Sequence, residues 1–454
     1  MKNLILYIVF NLCFLPQIIA QHYHNSIDEK IFKEAQNNIE KYRKTDFFIQ
    51  LNGIDKKALK NIEIDVEQVS HDFLFGCIIF DLVNHGRLPE NEELFKERFK
   101  QLFNFAVFPF YWAGYEPVQG STRQAEIMEV VKWCKQNGIT TKGHPLAWTH
   151  TAGTPKWLTN YSIEDTKSLQ MERIENITRS FKNQIEIWDV INEVIHTVNW
   201  NVAMKENNDG RNYRYVGMNY MSDKIGFIDS CFQRAYKGNP DAELIINEFD
   251  IVYNETSRQR FYNTVEELLE INSPISGIGI QAHEPYKGRI YYSPEQIWAT
   301  FKTYSDFNLP LHITELIPVS NGDSILGGYK TGVWTEQAQA DFAEMIFTLS
   351  FGYPDMASIN WWGFSDANIW QKGGGLMDEK LNPKPVYEKL DKLINEEWKT
   401  SVQHLGPEKN GSVDFRGFKG DYKIVIKKEG KLLKDVMLDF DEYQSGGKPF
   451  VINF

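Results

Sequence analysis

The sequence predicts an α/β fold, a (β/α)8 TIM barrel with a short N-terminal β extension and a small C-terminal all-β module. Between about residues 72 and 396, short apolar runs rich in β-branched and aromatic residues alternate with amphipathic stretches. Eight such units in roughly 325 residues match the usual size of a (β/α)8 barrel. The predicted barrel strands are 73–79, 103–108, 139–143, 185–191, 243–247, 275–280, 311–314 and 357–362.

Helical patterns follow these strands and end in recognisable stop signals. Residues 123–138, 223–240 and 336–354 are amphipathic and end in Gly or Gly-x-Pro. The rival architecture is a doubly wound open sheet, which usually carries a Gly-rich phosphate-binding turn after its first strand. No G-x-G-x-x-G motif follows the FGC of the first predicted strand, so the closed barrel is favoured.

The first twenty residues have the pattern of a secretory signal peptide. They contain Lys2, an apolar run over 4–15 and a small residue, Ala20, before a polar stretch. A membrane anchor is less favoured because this run contains Asn11 and is shorter than the roughly 20 residues that span a bilayer. We therefore expect residues 1–20 to be removed, and a secreted chain, extracellular or periplasmic, that does not insert into the membrane.

We divide the rest of the chain into three parts. Residues 21–70 are expected to form an N-terminal helix and a β-hairpin extension, because 45–70 alternate apolar and polar residues around an Asn-Gly turn signal. Residues 71–398 form the predicted barrel. The period of two and the Gly-rich turns of 399–454 predict a small antiparallel β module.

Composition and charge exclude several classes of partner. The chain carries 49 Lys and Arg against 61 Asp and Glu, a formal net charge of −12, whereas nucleic acid or an anionic membrane would need a basic surface. The mature chain would keep Cys77, Cys134 and Cys231, which lack CxxC spacing and favour neither a disulfide framework nor a zinc site. We expect a monomer with no metal and no other cofactor.

Four acidic residues stand where predicted barrel strands end, the place where barrel enzymes carry their chemistry. They are Glu193 after the fourth strand, Glu248 after the fifth, Glu284 after the sixth and Glu315 after the seventh. A single such carboxylate is often only a loop cap or an ion-pair partner. The fourth and seventh strands, however, lie across a closed eight-stranded barrel, so Glu193 and Glu315 can face one substrate from opposite sides.

Two opposed carboxylates are the machinery that glycosidic bond cleavage requires. One stays protonated and supplies the leaving oxygen, while the other is ionised and attacks the sugar or activates water. A separation of about 5–5.5 Å gives retention through a covalent intermediate, whereas about 6.5–9.5 Å leaves room for a water and gives inversion. The residues therefore indicate an enzyme that hydrolyses a polysaccharide or an oligosaccharide.

Motifs at the strand ends span the whole barrel: KGHPLAW, TPKWL, WDVINEVI, GIGIQAH, HITEL, WWGFSDANIW and GLMDEKLNPKPVY. They resemble those of glycoside hydrolase family 10, the retaining endo-β-1,4-xylanases. The resemblance implies that Glu193 is the general acid/base, that Glu315 is the nucleophile, and that internal β-1,4-xylosidic linkages of xylan are cleaved by double displacement. It disfavours Glu248, which falls at the fifth-strand Asn-Asp pair of the family, and Glu284, which lies just past the sixth-strand Gln-x-His.

The resemblance also assigns polar neighbours of the two carboxylates. Asn192 is placed to hydrogen-bond the sugar 2-hydroxyl, a contact that strengthens as the oxocarbenium-like state develops. Gln281 and His283 are expected to alternate along the sixth strand and to face the same side. There His283 can donate a hydrogen bond to Glu315 and keep that carboxylate ionised.

Sugar contacts on the glycone side of the scissile bond are implied for four further residues. His144 and Trp148 on the third strand resemble the family's contacts to that sugar, and Trp362 and Trp370 match the indoles that wall the same subsite. Two other tryptophans of these motifs, Trp188 and Trp361, are expected to pack in the core.

The chain departs from the family pattern in two places that affect specificity and pH dependence. Where the family carries Glu-Asn and then Lys to hold the more distant glycone sugar, residues 108–112 read FPFYW, which should weaken selection for a hydroxyl pattern and strengthen stacking. Another β-linked polysaccharide or oligosaccharide is therefore the alternative substrate. Ile317 replaces an Asp that commonly orients the sixth-strand histidine, so His283 should be less basic and the pH optimum displaced toward acid.

Two other functional classes are weighed against this hypothesis. A metal-dependent barrel hydrolase could use His144, His150, His283 and His312, but the first strand offers no His-x-His pair. A non-catalytic sugar-binding protein would have no need of the paired carboxylates.

Overall fold

The computed structural model describes residues 25–55, 59–83, 91–150, 153–195, 205–206, 212–213, 224–283, 289–446 and 449–454. The predicted signal peptide and Glu284 lie outside these residues. Within the described ranges, no helix has both the length and the apolar character needed to cross a membrane.

Eight parallel strands form a closed barrel, as predicted. Each strand pairs with the next, the eighth pairs with the first, and the fourth pairs with the fifth, so the ring has no free edge. A two-residue strand, Ala147–Trp148, adds to the outer end of the fourth strand. The barrel strands, first to eighth, are Leu74–Ile78, Phe105–Pro109, Thr140–His144, Ile187–Asn192, Glu243–Glu248, Gly277–Ile280, Leu311–Leu316 and Met356–Trp361.

Helices cover the outside of the barrel, and their ends follow local sequence signals. The helix Pro294–Ser305 begins at a capping box, in which Ser293 and Gln296 each accept a hydrogen bond from the other's backbone N–H. The helix Gln124–Gln136 stops before Gly138, whose φ of +69° is costly for other residues. The α-helices of the described residues are Ser26–Asn38, Glu92–Leu102, Trp112–Tyr115, Gln124–Gln136, Ile163–Ser180, Lys224–Gly238, Glu255–Glu270, Pro294–Ser305, Glu336–Phe351, Pro385–Lys392 and Phe440–Gly446.

The segment predicted as a β-hairpin does not form one, and this prediction is wrong. Its two strands, Lys44–Asn52 and Ile62–Gln68, belong to different sheets and pair with strands from the C-terminal part of the chain. Each strand alternates buried and more exposed residues, so each needs an opposing apolar face, which the other sheet supplies. The first sheet has the order Ser412–Phe418, Lys44–Asn52, Phe450–Asn453, and the second Ser401–Leu405, Ile62–Gln68, Tyr422–Lys428, Lys431–Leu438.

The extension and the C-terminal strands therefore build one β module with its own apolar core. Phe47 and Ile49 of the first sheet pack with Ile64, Tyr422 and Ile424 of the second. The module is thus made from two parts of the chain that are separated by the whole barrel.

Arg43 links this module to the amino-terminal end of the barrel. Its guanidinium donates three hydrogen bonds of 2.6–2.7 Å to the backbone carbonyls of Phe351, Tyr353 and Met356, where the eighth strand begins. The same guanidinium lies over the ring of Phe73, just before the first strand. The module is therefore anchored at the end of the barrel opposite the strand carboxyl ends.

Packing between the barrel strands and the surrounding helices explains why residue 143 is glycine. A Cβ built there would lie 2.1 Å from the ring of Trp188, which is fully buried, as expected for a core tryptophan. We expect Gly143→Ala to destabilise the protein by about 1–3 kcal/mol, because the indole cannot move without disturbing its neighbours. Gly406→Ala is the matched control, since a Cβ there meets nothing within 4 Å. Urea unfolding measures both, and equal midpoints would contradict this account.

Candidate active site

A cavity of about 750 Å³ lies at the carboxyl ends of the barrel strands and contains most of the predicted site. Its walls combine the two candidate carboxylates with aromatic rings, the usual composition of a carbohydrate cleft. Gln281 lies behind the wall, fully buried. The predicted residues that line the cavity are His144, Trp148, Asn192, Glu193, His283, Glu315, Trp362 and Trp370.

The backbone presents Glu193 in an uncommon conformation directly after the fourth strand. Its φ is +61°, a left-handed value that costs a non-glycine residue about 1–3 kcal/mol. Its N–H donates to the carbonyl of Asn247 at 2.9 Å, and its Oε2 accepts from the Trp148 indole at 2.8 Å. The first bond fixes the backbone of Glu193, and the second fixes its carboxyl group.

The environment of Glu193 favours its protonated form. Burial, together with the negative charge of Glu248 and Glu315, raises the pKa of Glu193 to about 8. Hydrogen bonds from the side chains of Trp148 and Gln281 act in the opposite direction and only partly offset this rise. At neutral pH this group is thus a proton donor.

Glu315 instead faces hydrogen-bond donors. Its Oε1 accepts from the Asn247 amide at 2.8 Å, and its Oε2 lies 3.3 Å from His283 Nε2. His144 Nε2 lies 3.8 Å from Oε1, beyond hydrogen-bond range but within reach of a small movement. Both oxygens of Glu315 therefore have polar nitrogen neighbours.

The side-chain amides of Asn192 and Asn247 connect the two carboxylates and fix their relative position. Asn247 donates to both Glu315 and the Asn192 oxygen, each at 2.8 Å, and Gln281 donates to the same Asn192 oxygen at 3.0 Å. Because its oxygen already accepts two bonds, Asn192 turns its NH₂ group toward Glu193, 3.3 Å from Oε1. That orientation is the one needed to donate to a sugar hydroxyl.

Asn247 was not predicted as a site residue, although the sequence carried a signal for it. It is a fully buried polar residue directly after three apolar residues of the fifth strand, and Thr314 donates to its oxygen at 2.7 Å. A buried amide in such a strand needs partners, and only tertiary contacts reveal that they are catalytic-site groups.

Gln281 and His283 both reach the site, but not by alternating along a strand as predicted. The sixth strand ends at Ile280, and Ala282 has a φ of +53°, so the backbone turns away from the extended path over residues 281–283, which have no regular secondary structure. The turn sends Gln281 inward to Asn192 and His283 to Glu315. Both side chains therefore reach the carboxylate site as predicted, although they lie beyond the end of the strand.

His144 is held by a buried ion cluster that sequence reasoning missed. Its Nδ1 lies 2.7 Å from Asp189, and Lys142 Nζ lies 2.8 Å from the same Asp189 oxygen. All three side chains are almost fully buried. The cation of Lys142 stabilises the Asp189 carboxylate, which in turn orients the imidazole toward the cavity.

The tryptophans divide as predicted between cavity and core. Trp362 contacts His144 edge-on with ring centroids 4.9 Å apart, and Trp370, 58% exposed, contacts His283 in the same manner at 5.5 Å. Trp361 is fully buried and donates to the carbonyl of Gly374.

Only one residue of the aromatic segment 108–112 faces the cavity. Tyr111 lines it, whereas Phe108 and Phe110 are fully buried, so the expected array of stacking rings is reduced to one ring from this segment. Tyr111 contacts His144, and Phe80 from the turn after the first strand contacts both Tyr111 and Trp362. These rings form a continuous aromatic end wall.

Glu248 and His312, which belong to the alternative hypotheses, lie outside the cavity. Glu248 accepts hydrogen bonds from the backbone N–H of Ile195 and Phe249 and does not line the cavity. His312 lies near the amino end of its strand, bonded to Ser358 and Glu243, and so does not converge with the other histidines. No group of three or more potential metal ligands occurs within the described ranges.

Comparison with known proteins agrees with this geometry. Endo-1,4-beta-xylanase B of Thermotoga neapolitana is 28% identical over 330 residues, covering 70% of this chain and 87% of that protein. Endo-1,4-beta-xylanase 1 of Arabidopsis thaliana is 23% identical over 423 residues, or 90% of this chain, which spans only 39% of that protein. The crystal structure of xylanase 10B from Thermotoga maritima, at 23% identity, superposes with a TM-score of 0.58 over 72% of this chain and 96% of that one, which supports the barrel fold.

A family model extends the similarity across the barrel. The model of glycosyl hydrolase family 10 matches residues 66–393, well over half of the chain and all eight barrel strands. With paired carboxylates at the fourth and seventh strand ends inside one cavity, this chain belongs to glycosyl hydrolase family 10.

Proposed function

We propose that this protein is a secreted, retaining glycoside hydrolase that cleaves internal β-1,4-xylosidic linkages of xylan by double displacement. One observation supports it above all: Glu193, with its pKa raised to about 8, and Glu315, which accepts a hydrogen bond from Asn247, line the same cavity. The hydrogen bond from Asn247 to Asn192 connects the two carboxyl groups. An acid and a base with environments this different are the pair that glycosidic cleavage requires.

In the first step Glu193 gives its proton to the glycosidic oxygen while the bond between that oxygen and C1 breaks. A carboxylate oxygen of Glu315 forms a bond to C1 on the opposite face, and the leaving sugar departs as an alcohol. Asn192 donates to the 2-hydroxyl, and this hydrogen bond strengthens as positive charge develops at C1.

In the second step Glu193, now a carboxylate, removes a proton from a water molecule. The water oxygen bonds to C1, the ester bond to Glu315 breaks, and both glutamates return to their starting states. Two inversions at C1 give net retention. His283 and Asn247 stabilise the departing Glu315 carboxylate through the bonds they already make to it.

Xylan is proposed as substrate because the relatives are named as xylanases and because the cavity is lined by rings suited to pyranose faces. The test is product analysis on unsubstituted xylan, substituted xylans, mixed-linkage glucan and cellulose, with the anomer followed by NMR. Release of β-anomeric xylo-oligosaccharides is expected. Initial formation of the α-anomer would refute double displacement, and hydrolysis of another polymer alone would refute the substrate.

Secretion is proposed from the pattern of residues 1–20. Expression of the full chain in a host with a Sec pathway, followed by N-terminal sequencing of the exported protein, tests it. A mature chain starting near residue 21 is expected, whereas an intact N-terminus retained in the cytoplasm would contradict the proposal.

The replacement of Asp by Ile317 is expected to affect the pH profile. His283 Nδ1 is buried and has no hydrogen-bond partner within the described part of the chain, and Ile317 is fully buried in an apolar cluster. Ile317→Asp should supply a charged acceptor for this nitrogen and move the optimum of kcat/KM upward. Ile317→Asn is the control, because it changes packing similarly without charge. Identical pH limbs in wild type and Ile317→Asp would disprove this role.

A further inference from the structure

A second hollow of about 190 Å³ adjoins the active-site cavity. Phe80, Tyr111 and Gly114 line both spaces, so the two rings are a shared wall between them. The rings meet edge-on with centroids 6.0 Å apart. The remaining lining residues of the hollow are Val83, Pro109, Tyr115, Arg123 and Ile127.

Gly114 leaves a passage beside this wall. It is exposed, it belongs to the short helix Trp112–Tyr115, and a Cβ built on it meets no atom within 4 Å. A group attached to a sugar in the cavity can therefore pass over residue 114 into the hollow.

Among its described lining residues, the hollow combines apolar walls with one cation, Arg123, and no acidic side chain. The Arg123 guanidinium forms no ion pair or hydrogen bond with any part of the described chain. The guanidinium is thus not neutralised by a carboxylate of the described chain. Its fork of N–H donors fits a carboxylate, and the tyrosine faces fit the C–H side of a ring.

We propose that this hollow is a subsite for a ring-sized, carboxylate-bearing branch on the glycone side of the substrate, with Arg123 as its specificity-determining residue. The inference rests on the proposed xylan hydrolysis. The glycone side is assigned because Tyr111 contacts His144 and Trp148. The size supports one ring rather than a chain, since the hollow has about a quarter of the volume of the main cavity.

The test compares three substrates: unsubstituted xylan, glucuronoxylan, and glucuronoxylan whose uronic acids have been reduced to neutral sugars. The measured quantity is the ratio of kcat/KM on glucuronoxylan to that on its reduced form, which isolates the carboxylate. We expect wild type to prefer the acidic polymer roughly tenfold through KM, the size of one charge-assisted hydrogen bond. Arg123→Gln should bring the ratio close to one.

Lys132→Gln is the matched control, because it removes one positive charge from an exposed position of the same helix. It should keep the wild-type ratio. Gly114→Leu, which fills the passage, should lower the ratio as Arg123→Gln does. Because each value is a ratio within one variant, differences in folded fraction cancel.

The outcomes separate this inference from the proposed function. The subsite is overturned by a wild-type ratio near one, by a ratio that Arg123→Gln leaves unchanged, or by a ratio that Lys132→Gln lowers as much as Arg123→Gln does. In each of these cases, hydrolysis of unsubstituted xylan would still support the proposed function. Failure to hydrolyse all three xylans would overturn the function itself, and with it the subsite.

Discussion

Glu315→Gln is expected to lower kcat on xylan by about four orders of magnitude or more while leaving the fold intact. The amide keeps the shape of the side chain and one acceptor oxygen, which can still accept the hydrogen bond from Asn247, but it cannot form the bond to C1. Binding of a xylo-oligosaccharide, measured by calorimetry, should change by less than about tenfold. Activity within tenfold of wild type would show that Glu315 is not the nucleophile.

A small external nucleophile gives this prediction a stereochemical readout. In Glu315→Ala, azide can occupy the vacated space and attack an aryl xylobioside with a good leaving group, giving the glycosyl azide of inverted configuration. In wild type such azide products are not expected, because the carboxylate occupies that position. A β-configured azide from Glu315→Ala would contradict the assigned geometry.

Glu193→Gln is expected to lower kcat on xylan by about 10²–10⁴-fold, the usual contribution of a general acid. The loss should be much smaller for an aryl glycoside whose leaving group needs no proton, such as 2,4-dinitrophenolate, until hydrolysis of the intermediate becomes limiting. Glu315→Gln is the matched comparison, since its activity should fall equally on both substrates. If Glu193→Gln lowered the activity on xylan and on the aryl glycoside equally, its role as general acid would be contradicted.

The pH profile gives an independent check on Glu193. Since burial and neighbouring carboxylates raise its pKa to about 8, the acid form persists through neutral pH and is lost as the pH rises past about 8. Wild-type kcat/KM should therefore fall on the basic side near that value. Glu193→Gln should lose this basic limb, and a limb that persists there must belong to another group.

The barrel was predictable because its signal is local and repeated. Eight apolar runs followed by amphipathic helices specify parallel strands that need cover on both faces, and all eight strands lie at the predicted places. The hairpin prediction failed because strand periodicity states which residues are buried but not which strand is the partner. Lys44–Asn52 and Ile62–Gln68 found their partners about 350 residues further along the chain.

The same distinction applies to the site. Motifs identified the residues that meet in the cavity, but contacts set their chemistry. Asn247, Asp189 and Tyr111 act through partners distant in sequence, so their importance shows only when the barrel closes. The turn at Ala282 likewise replaces the strand that alternation predicted.

The sequence alone determined the number of βα units, the strand ends and the carboxylates that stand on them, because periodicity and local motifs follow directly from residue order. Tertiary structure alone decided which carboxylate holds a proton and which receives donors, and which chain segments form the β module. The physical reason is that desolvation, charge proximity and strand pairing depend on distances between residues far apart in the chain, and these distances exist only in the folded protein.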